Sequence, residues 1–142
     1  MSETAETAGS AGSAESAWPK RPDYRVDILP RRNLVTVRRG DDVIARTTSP
    51  LLVDEQDHGL VFYIPEADVN FAFLEPIEHR TRCPYKGFAS HWALAGGTDP
   101  VAWTYGDPYP EVGRIRGYVA FYQDRVSVEI GVATPAVIGY QR

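Results

Sequence analysis

The chain holds a single cysteine, Cys83, in 142 residues. One thiol has no partner within the chain, so no internal disulfide framework can form. Long apolar runs are missing too. Stretches such as Leu60 to Ile64 and Tyr118 to Tyr122 fall far short of the roughly 20 residues that cross a bilayer as a helix, so no membrane partner is expected. There is no surplus of basic charge. The net charge is −4, and residues 1–17 supply −3 of it through Glu3, Glu6 and Glu15. A near-neutral remainder lacks the positive stripe that displaces counterions from nucleic acid, so no nucleic-acid partner is expected. The start is acidic and has no apolar signal-peptide core, which makes the cytoplasm the expected compartment.

What is present has the composition of one ordinary globular domain, with 43% hydrophobic and 24% charged residues, at a length that buries a real core. Residues 2–17 contain only Ser, Glu, Thr, Ala and Gly. Such a segment cannot bury enough apolar area to offset its ordering entropy, so residues 1–17 read as a disordered tail and 18–142 as the folded domain. Trp18 is expected to act as a lid packed on the domain.

From Tyr24 onward the pattern has a period of two. Candidate strands run over Tyr24–Leu29, Leu34–Arg38, Val43–Arg46, Leu51–Asp54, Leu60–Ile64, Phe88–Leu94 and Val101–Tyr105. Thr81, Cys83 and Pro84–Gly87 read as a strand end and a turn, and Tyr118–Gln123 with Arg125–Ile130 as a last hairpin. Gly40-Asp41 supplies a tight turn, and Pro65–Val69 one helical turn with proline at its start. No segment keeps apolar residues at helical spacing over three turns. The expected fold is mainly β: a small antiparallel, β-tent or barrel-like domain, closed or nearly closed, with one short helical turn.

Several blocks carry a resemblance. Val43-Ile44-Ala45 leads into Leu51–Glu55, and Phe62-Tyr63-Ile64-Pro65 is followed by Asp68-Val69. Thr81-Arg82-Cys83-Pro84-Tyr85-Lys86-Gly87 is the most specific block. Ala89-Ser90-His91-Trp92, Ala102-Trp103-Thr104-Tyr105, Pro108, Gly117–Tyr122 and Asp124-Arg125-Val126 complete the series. In order and spacing, Val43 to Arg125 resembles the family known as domain of unknown function 427. His91 stands where that family usually has tyrosine, and Arg46-Thr47 replaces its usual acidic residue and serine. The resemblance implies a β-tent fold similar to methionine sulfoxide reductase B and Yippee-like domains. Many of those relatives bind zinc through two paired-cysteine knuckles, which a single cysteine cannot build. The family is sometimes labelled a nucleotidyltransferase, but no Gly-Ser segment with a following Asp-x-Asp pair is present here. Some members carry two copies of the domain, which implies that a single copy pairs with itself as a homodimer.

Three sets of residues could carry chemistry. Cys83-Pro84-Tyr85-Lys86-Gly87 reads as a tight turn that can bring the Lys86 ammonium near the Cys83 thiol and favour its thiolate. Cys83 is thus the candidate nucleophile or redox residue; the alternative is an inert cysteine under a turn. His79, Cys83 and His91 match no zinc-ligand spacing, so no metal or other cofactor is expected. The second set is aromatic: Tyr63, Tyr85, Trp92, Trp103, Tyr105, Tyr118 and Tyr122, of which all but Tyr118 are candidate ligand contacts, joined by His91. Rings of this kind fill β cores, and several converging on one hollow would form an apolar pocket with polar handles. The third is Glu111, after a proline-rich loop, read either as a solvated turn carboxylate or as an acceptor at the pocket edge. The leading functional expectation is a small-molecule-binding module in which Lys86 takes an anionic group and the indole and phenol rings flank its body. The alternatives are an enzyme that uses Cys83 and an interaction module that forms a homodimer.

Overall fold

The structure, a computed structural model, describes residues 15–133. Most of the expected N-terminal tail lies outside the described residues. Its last part does not follow the expectation of disorder, since the Ala17 amide donates to Pro84 O at 2.9 Å and Arg82 donates to Glu15 O.

Among the described residues, ten strands form two antiparallel sheets. In chain order they are β1 (Val26–Pro30), β2 (Asn33–Arg39), β3 (Asp42–Thr47), β4 (Leu51–Glu55), β5 (Leu60–Pro65), β6 (Leu74–Cys83), β7 (Gly87–Leu94), β8 (Pro100–Tyr105), β9 (Tyr118–Phe121) and β10 (Ser127–Ala133). The larger sheet has the order β1-β4-β5-β9-β8-β7-β6, and the smaller one β10-β2-β3. Among the described residues neither sheet closes through its hydrogen bonds, so the domain is mainly β and antiparallel but not a closed barrel. Among the described residues, three short 3₁₀ turns, Glu66–Asp68, Phe71–Phe73 and Pro110–Ile115, are the helical segments.

Period two explains both layers. Consecutive strand residues face opposite sides, so Tyr63 and Ile64 on β5, and Ala120 and Val119 on β9, part company. Ile64, Ala102, Val119 and Phe121 pack against Val35, Val37, Ile44 and Ala45 of the small sheet. Leu51, Val53, Tyr63, Ala89, Tyr105 and Ala120 form a second cluster on the other side, with Val112, Ile115 and Trp18 over it.

Two local expectations fail. Tyr118–Phe121 and Ser127–Ala133 are not a hairpin. β9 pairs with β5 and β8, whereas β10 pairs with β2. A turn closed by Arg125 and Val126 amides on Tyr122 O carries the chain from one sheet to the other. In addition, β6 begins at Leu74, well before the strand end expected near Thr81. Its first half carries Glu75, Pro76, Glu78 and His79, which obscure a strand pattern. As the outermost strand of its sheet, β6 accommodates a proline and presents charge to water, which discourages edge-to-edge pairing.

Candidate functional site

The second face of the large sheet holds a cavity of about 600 Å³. Strand register builds it. Tyr63 lies across from Ala120, Ala120 from Trp103, and Trp103 from His91. One transverse row therefore brings Tyr63, Trp103 and His91 to the same face. Two residues further along their strands, and so on that face again, come Val61 and Tyr105; Tyr122 follows Ala120 by the same step. Cys83, Lys86, His91, Trp103, Tyr105, Tyr63 and Tyr122 all line this cavity, together with Val53, Glu55 and Thr81.

Lys86 is fixed by its turn. Its amide donates to Cys83 O at 3.2 Å, and its carbonyl accepts from Tyr109 N at 3.1 Å. Gly87 follows with φ +118°, a conformation that suits glycine. The Lys86 side chain is buried rather than free in solvent. Its ammonium pairs with Glu55 Oε1, while Tyr24 donates its hydroxyl to Glu55 Oε2 at 2.6 Å. Burial pushes the Glu55 carboxyl up, but Lys86 and Tyr24 outweigh it and hold the group below its ordinary value. Burial, and then the Glu55 carboxylate, raise the Tyr24 phenol well above its usual range. The expected free cation at Lys86 is thus half of a neutral pair.

His91 is 2% exposed. Its Nδ1 lies 3.1 Å from the His79 carbonyl, which can only accept, so Nδ1 carries the proton. Burial first, then the neighbouring His79, push His91 down to about 4, so at neutral pH its Nε2 is a lone-pair acceptor. The Tyr122 hydroxyl, 3.2 Å away, therefore donates to it. Burial raises the Tyr122 phenol. Trp103 Nε1 donates to Tyr63 Oη at 3.3 Å, and the Trp103 and Tyr122 rings meet at 4.6 Å. Burial also raises Tyr63 and Tyr105 above the usual phenol range. His91, Tyr63, Tyr105 and Tyr122 are therefore uncharged at neutral pH.

Three expected site residues lie elsewhere. Trp92 follows His91 on β7 and so faces the other way, against Phe71 at 5.3 Å and the core between the sheets. Tyr85 stacks on Tyr24 at 3.6 Å and 3°, and its carbonyl accepts from Trp18 Nε1 at 2.8 Å. Glu111 is exposed in the 3₁₀ turn. Trp18, as expected, packs on the domain, over the Pro84–Lys86 bend. Tyr24 is a residue that the sequence reading left without a role, and Glu55, like Asp54, is one it read either as a solvated carboxylate or as an acceptor at the pocket edge. Glu55 extends the inward series Leu51-Val53-Glu55 on β4, with burial alternating along the strand, and that alternation is a signal for it. Among the described residues no three His, Cys, Asp or Glu side chains converge to hold a metal ion, and no helix is long and apolar enough to cross a membrane.

A search of curated proteins finds no match. The model of one family, described as a domain of unknown function (DUF427), matches residues 27–131. The match runs from β1 into β10 and takes in every residue that lines the cavity. On that extent of matched sequence, the chain belongs to the DUF427 family.

Proposed function

We propose that this chain is a small-molecule-binding β domain whose cavity takes the flat, largely apolar body of its ligand against Trp103 and Tyr105. The observation that carries the reading is the convergence of Tyr63, His91, Trp103, Tyr105 and Tyr122 on a single cavity of about 600 Å³, within the size range of small-ligand pockets. Large rings supply contact area, and each phenol, indole or imidazole adds one oriented polar atom.

The test is differential scanning fluorimetry with a fragment set of planar aromatic compounds, on the full chain and on Trp103→Ala, with circular dichroism confirming that both are folded. Fragments should raise the melting temperature of the native chain and lose that effect in Trp103→Ala. If no fragment stabilises the native chain, or if both forms respond alike, the proposal fails.

A further inference from the structure

Resting on that reading, we infer that the cavity selects an uncharged ligand with an amide-type edge, a carbonyl oxygen beside an N–H, laid on Trp103 between Tyr63 and Tyr122. The argument is a count of protons and lone pairs. Trp103 Nε1 can only donate, so Tyr63 Oη accepts at 3.3 Å. The Tyr63 hydroxyl proton is then left over, and among the described residues no acceptor takes it. On the other side of the indole the accounting reverses. His91 Nδ1 is committed to the His79 carbonyl, so Nε2 must accept, and the Tyr122 proton is used on it. The Tyr122 oxygen keeps its lone pairs as acceptors.

One spare donor and one spare acceptor thus border the same aromatic surface. A buried donor or acceptor left without a partner is costly, so a ligand that matches both is favoured over one that matches neither. Charge points the same way. Lys86, the one lysine or arginine of the cavity wall among the described residues, is already neutralised by Glu55. An anion would meet the Glu55 carboxylate and, at the mouth, the exposed Asp124, and a cation would meet the Lys86 ammonium. A neutral edge suffers neither repulsion.

Oxindole, its N-methyl derivative and indole separate the components. All three share the flat bicyclic body. N-methyloxindole lacks the donor, and indole lacks the carbonyl. Dissociation constants would come from ligand-detected NMR titrations on the full chain, on Tyr122→Phe, on Tyr63→Phe and on Trp103→Ala. Oxindole should bind the native chain about tenfold or more tightly than N-methyloxindole, the discrimination expected when a buried polar group loses its partner. Tyr122→Phe should abolish that preference. Tyr63→Phe should weaken both oxindoles and leave indole unchanged. Equal affinities for oxindole and N-methyloxindole, or a preference that persists in Tyr122→Phe and so reflects bulk alone, would overturn the inference. If that happens while Trp103→Ala still abolishes binding, the pocket stands and only the ligand class falls. Should none of the three bind while other planar fragments still stabilise the native chain through Trp103, the inference falls and the pocket reading stands.

Discussion

Lys86 and Glu55 pair across the face of the large sheet, joining the β6–β7 turn to the end of β4 although β5, β9 and β8 lie between those strands in the sheet. Hydrogen bonding between strands does not bring these ends together. The sheet bends far enough for side chains to do it, and Tyr24 stacked on Tyr85 adds a second bridge beside the first. The cavity lies behind this double bridge, so its shape depends on a contact between residues 31 positions apart.

Breaking the pair on one side leaves a buried charge without its partner. Glu55→Gln and Lys86→Met should each cost about 3–5 kcal/mol, whereas the double variant should recover most of that loss, because no buried charge is then left unpaired. Urea denaturation of the four proteins, analysed as a double-mutant cycle, measures the coupling. Additive losses in the double variant would show that the two side chains do not act as a pair.

Acid should weaken the fold through His91. Its folded value is about 4 against an ordinary 6.5, so between those limits the unfolded chain binds more protons and stability falls as pH falls. The shift corresponds to at most about 3 kcal/mol. The groups around the ring are the His79 carbonyl and imidazole, Arg80 and the Tyr122 hydroxyl, and the nearby positive charge adds to the effect of burial. Glu55 acts lower on the scale. Its folded value is depressed, so its contribution is present above pH 4.5 and disappears as acid titrates through the folded value. Urea midpoints from pH 7 to 4 should therefore decline in the native chain and decline less in His91→Gln. Parallel slopes for the two proteins would remove His91 as the cause.

The turn that aims Lys86 depends on Gly87. At φ +118° any side chain is strained. A Cβ would also sit 3.4 Å from Asp107 O, an ordinary contact, so the cost comes from backbone conformation rather than a clash. Gly87→Ala should destabilise by about 1–2 kcal/mol. A thermal melt indistinguishable from that of the native chain would contradict this.

Particular residues show where sequence reading stops. Hairpins such as β4–β5 follow from local alternation and turn residues, and both were legible. Period two also identifies the inward residues once one member of a strand is placed. It cannot admit both His91 and Trp92 to one cavity, because neighbours on a strand face opposite ways. The same alternation pointed inward at Glu55, yet a strand-end carboxylate reads as solvated until its partner is known. That partner is set by the bend of a seven-stranded sheet, a long-range property that no local window contains. The departure of β10 to the small sheet is hidden for the same reason: the short segment after Phe121 looks like a hairpin turn whether or not the chain changes layers.

The N-terminal strap packs over the Pro84–Lys86 bend, in the cluster that also takes in Cys83. Trp18 is 9% exposed, meets the Tyr85 ring at 5.2 Å and donates to the Tyr85 carbonyl at 2.8 Å. Cys83 is half-buried in the same cluster. Removing the indole deletes that packing and that hydrogen bond, a loss of about 3 kcal/mol for a ring of this size. Much of the loss should appear as local opening of residues 15–20, whose other ties to the sheet are the Ala17–Pro84 and Arg82–Glu15 hydrogen bonds, while Tyr24 stays anchored on Glu55 and Tyr85. Trp18→Ala should then increase the alkylation rate of Cys83 by iodoacetamide about tenfold or more in native buffer, with protease cleavage confined at first to the strap. An unchanged alkylation rate would show that the cavity, not the strap, is the route by which reagents reach the thiol.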